Sequence, residues 1–527
     1  MKKQLLLLFS ILSGILLYGA WPMSPFCFLI FFSFVPLLIV ANNTKKCLSF
    51  FGYSFLSLLI FNAATTWWIW NSTDIGSIAA IIANSLLMCL PWWGYHLMLK
   101  KYGRPIGYLS LICYWMLFEY IHLNWQLSWP WLSLGNVFAM NTNWVQWYEF
   151  TGIGGGTLWI LVTNIIIKIL IHKLVSNRKA VGGLSVILVA IIGIPLVFSF
   201  LLLNGRKEIL PSKSNVVIVD ANIDAYEKFD ISVATTEIQR LISLSEGSMD
   251  STTKLIVWPE TALSLPTWQD QITSNTYYQP VFAFLNRHPN VTVLTGIETF
   301  KRYGNFPATS TARKADDGTY YDAFNTALYL KAGQPFQLYN KSRLVPGVES
   351  MPTFLNFLAP IFERFGGTTG GYGRSDSSKA FSIADNTYKP APVICYESIY
   401  GEYVSTYVGR GANIITIITN DGWWGNTPGH KQHLQYARLR AIETRRWVAR
   451  SANGGISAVI DDYGTIRASQ PFDKPSATKF PIPINSTLTF YVRYGDYLYK
   501  MASFVALLLL LWHGFMVVKG KLKSKIK

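Results

Sequence analysis

The sequence predicts a multi-pass α-helical membrane domain of about eight transmembrane helices joined to an extracytoplasmic α/β domain. Three observations predict it. Half of the 527 residues are hydrophobic and only 14% are charged, too few to cover a soluble protein of this size. Eight apolar runs are long enough to cross a bilayer, which takes roughly 20 residues. Past residue 204 the text changes to short β-branched strands alternating with helical patterns, the signature of an α/β domain.

The apolar runs fall at 4–20, 24–41, 50–70, 76–99, 106–123, 152–172, 183–203 and 500–518. The first also has the form of a signal peptide, with Lys2 and Lys3 ahead of the apolar run and "YGA" before Trp21. A retained helix is the expectation, because the next run follows at once. Lysine and arginine mark the cytoplasmic side. They occupy the N-terminus (Lys2, Lys3), three alternate loops (Lys45 and Lys46; Lys100, Lys101 and Arg104; Lys173, Arg178 and Lys179) and the tail (Lys519, Lys521, Lys523, Lys525, Lys527). None of these segments holds an acid, and the intervening loops 71–74 and 124–151 hold no lysine or arginine. Both termini therefore face the cytoplasm and residues 204–499 face the other side. Arg206 and Lys207 run against the rule, from which large translocated domains are largely exempt. Fifteen bases without an acid account for most of the +17 charge, so nucleic-acid binding is not needed to explain it. The division expected is 1–203 for helices one to seven, 204–499 for the exported domain, and 500–527 for helix eight and its basic tail.

In the exported part, "NVVIVDANI", "KLIVWPET", "NVTVLTGIE", "AFNTALYL", "APVICYES" and "ANIITIITND" read as strands, with helices around 231–246, 274–287, 398–409 and 431–451. "AVIDDYGTIRAS" reads as a hairpin turning at Tyr463–Gly464. "FGGTTGGYGRS" (365–375) lacks the ending of a phosphate loop and a clear following helix, and reads as a mobile loop, with a lid near the site as the hypothesis it suggests.

Cys395 is the only cysteine outside the strongly apolar segments, so in an exported domain it has no disulfide partner and is either inert or reactive. Cysteine catalysis needs a base and oxyanion donors. Glu260 ends "LIVWPE", Lys341 lies in "YNKSRLVP", and Cys395 ends "APVIC", each where a strand stops. Singly, the three read equally well as a turn residue, a surface lysine and a small core residue. Spacing alone does not bring them together.

The order "WPETAL … YNKSRLVP … ICYES … TNDGWWG" resembles the nitrilase superfamily, whose catalytic set is Glu, Lys and Cys. The helix layout, with "WPWLSLGN", "WVQWYEFTGIGGGTLWI" and "HKQHLQYARLRAIETRRWVARSANGGISAVI", resembles its membrane-embedded branch, the apolipoprotein N-acyltransferases. That resemblance implies a nitrilase-like sandwich for the exported domain, with Glu260 as base, Lys341 as catalytic lysine and Cys395 as nucleophile. It also implies support from Glu349, Glu397 and the Tyr396 N–H. One departure stands out: the loop after the lysine reads "RLVPGVESMP" (343–352), where the family form is roughly "HLVPFGEYVP". The implied reaction is the last step of lipoprotein maturation. A phosphatidylethanolamine-like phospholipid gives an acyl chain, through a cysteine thioester in a ping-pong cycle, to the N-terminal amine of a diacylglyceryl apolipoprotein. No cofactor or metal is implied; the chain would act as a monomer in the bacterial inner membrane, its catalytic domain facing the periplasm.

Other features have plainer readings. Trp67, Trp68, Trp70, Trp125, Trp129 and Trp131 read as an interfacial aromatic belt. Glu119 and His122 are intramembrane ionisable groups or helix-end residues. His430 and His433 lack a third metal ligand. Arg438, Arg440, Arg445, Arg446 and Arg450 read as a salt-bridged surface. Two rivals stay open: a membrane-tethered amidase or nitrile hydrolase with the same triad, and a non-enzymatic transporter or lipid-binding protein.

Overall fold

The computed structural model describes residues 1–176, 181–206, 212–224, 230–350, 371–383 and 387–525. The chain divides into two compact units. One comprises Met1–Trp67, Ser77–Leu202 and Asp496–Lys527; the other comprises Trp68–Gly76 and Leu203–Gly495.

The first unit is helical. It contains α1 (Lys3–Ala20), α2 (Val35–Asn43), α3 (Cys47–Thr66), α4 (Asp74–Tyr102), α5 (Arg104–Asn124), α6 (Tyr148–Ser176), α7 (Val181–Asn204) and the helix Tyr497–Lys525. Seven helices among the described residues are long and apolar enough to cross a membrane. The run expected at 24–41 differs from the other seven: it is a 3₁₀ turn, Cys27–Phe31, followed by the nine-residue α2. Pro36 opens α2, and Asn164 of α6 serves the break, donating to the Ile30 carbonyl (2.9 Å) and accepting from the Phe34 N–H (2.8 Å). Backbone groups freed in an apolar segment need such partners.

Glu119 is buried and fully engaged. One carboxylate oxygen accepts from Trp115 Nε1 (2.9 Å) and the Leu134 N–H (2.8 Å); the other accepts from the hydroxyls of Thr157 (2.7 Å) and Tyr499 (2.7 Å). It staples four segments of this unit together. The tryptophans do not form one exposed belt. Trp67 and Trp70 are about half exposed, whereas Trp68 and Trp131 are fully buried.

The second unit is an α/β sandwich. Its strands are β1 (Asn215–Asp220), β2 (Thr253–Val257), β3 (Leu263–Trp268), β4 (Thr292–Gly304), β5 (Arg313–Lys314), β6 (Tyr320–Lys331), β7 (Gln337–Asn340), β8 (Pro390–Ile394), β9 (Ile414–Asn420), β10 (Val448–Asn453), β11 (Ala458–Ile460), β12 (Ile466–Ser469) and β13 (Ser476–Phe480). One sheet runs β13-β1-β2-β4-β6-β5, with β3 beside β4 and β7 beside β6; the other runs β12-β11-β10-β9-β8. Strands β1, β2 and β4 are mutually parallel neighbours, as are β8, β9 and β10. Alternation along β1 shows the layering. Val216 and Ile218 join the core between the sheets, with Val393, Ile415, Ile417 and Val459, while Val217 and Val219 face the helices α8 (Ile231–Ser248) and α9 (Gln279–Arg287). The helices Gly401–Gly409 and Pro428–Thr444 cover the second sheet.

Two expectations need correction. The helix expected over 431–451 stops at Thr444, where Arg445 takes a left-handed conformation, and Val448–Asn453 is instead the central strand β10. No local breaker announces this; pairing with β9 through six residues and with β11 through three overrides the helical pattern. The arginines are not a surface either. Arg440, Arg446 and Arg450 are fully buried, and they donate to carbonyl oxygens or to the carboxylates Glu443 and Asp421. Most of the glycine-rich segment 365–375 lies outside the described residues.

Candidate active site

The chemistry-bearing residues sit where strands end. The β2–β4 pairing runs on past β2, through Trp258 N–H to the Leu294 carbonyl (2.9 Å) and Gly296 N–H to the Pro259 carbonyl (3.0 Å). Glu260 follows directly. Its backbone passes so close over Gly296 that a Cβ there would lie 2.6 Å from the Glu260 Cα and 2.4 Å from the Thr261 nitrogen. Lys341 follows β7, its N–H donating to the Asn325 carbonyl on β6 (2.8 Å). Cys395 follows β8 with a φ of +49° and opens a 3₁₀ turn, Cys395–Ile399. A non-glycine residue held there stores about 1–2 kcal/mol of strain and turns its side chain off the strand direction.

The polar contacts converge on the lysine. Lys341 Nζ is buried and donates to Glu349 Oε1 (2.8 Å) and Glu260 Oε1 (3.2 Å). Asn325 Nδ2 donates to the same two oxygens, at 2.7 Å to Glu260 and 3.1 Å to Glu349. The second Glu260 oxygen accepts from the Asn420 N–H (2.9 Å) and the second Glu349 oxygen from the Val345 N–H (2.8 Å). Burial works against the Lys341 charge, but the carboxylates Glu260 and Glu349 outweigh it and hold the ammonium well above its ordinary pKa. The Cys395 thiol is pushed up, first by burial and then by the Glu260 charge, with Lys341 pulling the other way. The resting thiol is therefore neutral and needs a base to become a nucleophile.

Glu397 ties the lysine loop to the cysteine turn. One oxygen accepts from the Tyr339 hydroxyl (2.5 Å), the Ser342 N–H (2.7 Å) and the Arg343 N–H (3.3 Å); the other accepts from the Ile394 N–H (2.9 Å). The side chain is fully buried, and burial raises its pKa against these hydrogen bonds. Glu260, Lys341, Glu349, Cys395, Tyr396 and Glu397 thus lie in one neighbourhood, the altered 343–352 loop notwithstanding. Glu349, from that loop, keeps its ion pair.

Asn325, Asp421 and Asp220 escape the sequence reading, and His433 and Arg450 take places other than the metal site and the surface considered for them. Asn325 bridges both carboxylates; its signal was a polar residue inside the apolar strand "AFNTALYL". Beneath the cysteine turn, His433 and Asp421 are fully buried together with Arg450. Burial opposes the Asp421 charge, but Arg450 and His433 hold its carboxyl well below the usual range. At the end of β1, Asp220 is also buried and accepts from the Asn222 N–H (2.7 Å); burial, against the backbone hydrogen bonds of Asn222 and Gly454, pushes its carboxyl up to about 7. His430 and His433 do not converge on a metal: His433 Nδ1 faces Asp421, and His430 Nδ1 faces the Gly425 carbonyl (3.0 Å).

Comparison with known proteins gives concordant matches for both units. The model of the family described as Carbon-nitrogen hydrolase matches residues 231–476, and that of the Apolipoprotein N-acyltransferase N-terminal domain matches residues 13–166. An apolipoprotein N-acyltransferase from Chlorobaculum tepidum is 32% identical over 500 residues, 92% of each chain. One from Geobacter metallireducens is 25% identical, covering 93% of this chain and 91% of its own. Among solved structures, an amidase from Nesterenkonia sp. aligns with a TM-score of 0.35 at 14% identity, covering 53% of this chain and 93% of that one.

Proposed function

The chain belongs to the apolipoprotein N-acyltransferase family, a family of membrane acyltransferases, and from that premise we propose that Cys395 carries a fatty acyl chain as a thioester on its way from a phospholipid to a lipoprotein amine. The observation that carries the reading is the buried Lys341 ammonium held between Glu260 and Glu349, with Cys395 opening the turn that Glu397 ties to the lysine loop.

Glu260 takes the thiol proton as sulfur attacks the ester carbonyl of a phosphatidylethanolamine-like donor. Lys341 and the Tyr396 N–H hold the resulting oxyanion; one such donor contributes roughly 2.7–4 kcal/mol. The carbonyl re-forms, the ester C–O bond breaks, and Glu260 returns its proton to the departing lysophospholipid alkoxide. In the second half the N-terminal amine of a diacylglyceryl-cysteine lipoprotein attacks the thioester, Glu260 accepts the amine proton, and the thiolate leaves and is reprotonated. The product is an amide, the last step of lipoprotein maturation. No cofactor is needed to balance either half. Glu349 keeps Lys341 charged and placed, and Glu397 keeps the cysteine turn registered on the lysine loop.

The reading places the catalytic domain, 204–499, on the periplasmic side of the bacterial inner membrane, with the chain acting as a monomer. Both substrates are lipids. Exposing a 16-carbon chain to water would cost on the order of 12 kcal/mol, so the acyl group stays in or against the bilayer throughout.

The test is intact-protein mass spectrometry of the purified chain incubated with phospholipid and no acceptor, beside Cys395→Ser. The expected result is a mass gain of one acyl chain, labile to neutral hydroxylamine and absent from the variant. A folded wild-type chain that gains no mass sinks the proposal.

A further inference from the structure

We infer that Ser398 and His433 form a relay that polarises the Cys395–Tyr396 peptide, so that the Tyr396 N–H becomes a stronger oxyanion donor than an ordinary amide. The inference rests on the reading of Cys395 as acyl carrier and adds two positioning residues to it.

Ser398 Oγ lies 2.7 Å from the Cys395 carbonyl oxygen and 2.8 Å from His433 Nε2. A carbonyl oxygen has no proton to give, so the hydroxyl proton points at Cys395. Ser398 must then accept from His433, and Nε2 carries a proton. That Nε2–H also lies 3.3 Å from the Cys395 oxygen. The other ring nitrogen is 3.0 Å from Asp421 Oδ1, which also takes the Thr419 hydroxyl (2.8 Å). Arg450 Nη2 also approaches Nδ1, at 3.3 Å, and pairs with the same carboxylate. His433 therefore donates toward Ser398 from Nε2, while the buried Asp421–Arg450 pair holds the ring in place at Nδ1.

The direction of the effect follows from peptide geometry. The chain contains no cis peptide bonds among the described residues, so the Cys395 carbonyl and the Tyr396 N–H belong to one planar trans unit and point opposite ways. The carbonyl points at the helix Pro428–Thr444, which carries His433. The N–H points to the other side. Hydrogen bonds in series polarise one another, and donation to the oxygen of a peptide draws electron density from its nitrogen. Two donors on one carbonyl, the Ser398 hydroxyl and the His433 Nε2–H behind it, thus act on the group assigned to the oxyanion. All four participating residues other than Cys395 are buried: Ser398, His433, Asp421 and Arg450 are fully inaccessible and cannot touch a substrate.

The inference is read on the acyl-enzyme itself. A donor phospholipid labelled with ¹³C at the ester carbonyl is given to wild type, Ser398→Ala, His433→Gln and Ser398→Thr, and the thioester carbonyl stretch is isolated by isotope-edited infrared spectroscopy. A weaker oxyanion donor polarises the carbonyl less. Ser398→Ala and His433→Gln should raise the stretch frequency and lower kcat about tenfold, a fraction of the ~10²–10³ that losing a whole oxyanion donor costs. The KM for phospholipid should not change, and Ser398→Thr should restore the wild-type frequency. Folded variants with slowed turnover but an unshifted carbonyl would overturn the relay, since a merely structural role slows the enzyme without moving that band. If the wild-type chain forms no adduct, the acyl-carrier reading falls separately. The relay is then decided on the unacylated chain labelled with ¹³C-carbonyl cysteine and ¹⁵N-tyrosine. Its two Cys–Tyr peptides, at 113–114 and 395–396, are told apart by Cys113→Ala. An upfield move of the Tyr396 amide proton in His433→Gln supports the relay, and an unmoved proton overturns it.

Discussion

Replacing Glu397 by glutamine changes one atom of a side chain on which four donors converge. The best placement of the amide keeps its oxygen toward the Tyr339 hydroxyl and the Ser342 and Arg343 N–H groups. Its NH₂ then faces the Ile394 N–H across 2.9 Å, donor against donor. Losing one hydrogen bond to a charged acceptor costs ~1.5–3 kcal/mol. Relief from burying the charge, the effect that raises the carboxyl's pKa, offsets part of this. The net loss is about 1–2 kcal/mol, or roughly 2–8 °C in Tm for a unit of this size. The effect on rate should be larger than on stability. Ile394 immediately precedes Cys395, whose φ of +49° must be held from outside. A displacement near 1 Å costs about 10²-fold in rate, so kcat should fall by about 10–100-fold. Glu397 is fully buried, so the KM for phospholipid should hold. The assay is initial-rate acyl transfer from phospholipid to a synthetic diacylglyceryl lipopeptide, with Tm measured in parallel. A variant with lowered Tm and unchanged kcat, or one that raises only KM, would refute the reasoning.

Gly296→Ala should abolish turnover while leaving phospholipid binding intact, because its Cβ would meet the Glu260 backbone and move the base; wild-type activity in a folded variant would show that the close approach is not required. Asp220 predicts a pH-dependent stability. Burial lifts its carboxyl from an ordinary 3.8 to about 7, so the native chain keeps a proton that the unfolded chain has lost. Its contribution is complete below about pH 4 and is lost as pH rises through 7, a span worth roughly 4 kcal/mol. Asp220→Asn should flatten that slope in thermal unfolding across pH 4–8; an unchanged slope would place the titration elsewhere.

Much of this was legible in the sequence because period and composition are local. Apolar runs of bilayer length and β-branched segments such as "NVVIVD" and "IITIITN" need no tertiary information to be recognised. What was not legible depended on partners far away in the chain. The second apolar run looks continuous, yet Pro36 and an asparagine some 130 residues distant make it a turn and a short helix. "RRWVARSAN" continues a helical pattern and becomes a central strand because β9 and β11 are there to pair with it. At the site, Glu260, Lys341 and Cys395 carry reactive groups that draw notice. Asn325 does not, because it looks like a single polar residue in an apolar strand until its neighbours are known, and His433 drew notice as a metal candidate rather than as a partner of Ser398 and Asp421. The burial of Arg440, Arg446 and Arg450 was hidden for the same reason: charge in a sequence does not reveal which carbonyls await it.

Trp68 and the segment through Gly76 lie between two long apolar helices in the sequence, yet they belong to the compact unit that holds the cysteine. The Trp68 indole packs against Trp424 at 4.8 Å and against Gly429, where a Cβ would collide with it at 2.6 Å; Asn71 Nδ2 donates to the Trp424 carbonyl (2.9 Å). Trp424 in turn meets the His433 ring at 5.6 Å. The catalytic half is therefore not one contiguous stretch of chain. During synthesis the ribosome finishes Trp68 some 350 residues before the surface it covers exists, so the last seal over the histidine can form only when translation is almost over. A gene fragment beginning at residue 204 encodes every reactive group and still omits part of the wall behind them.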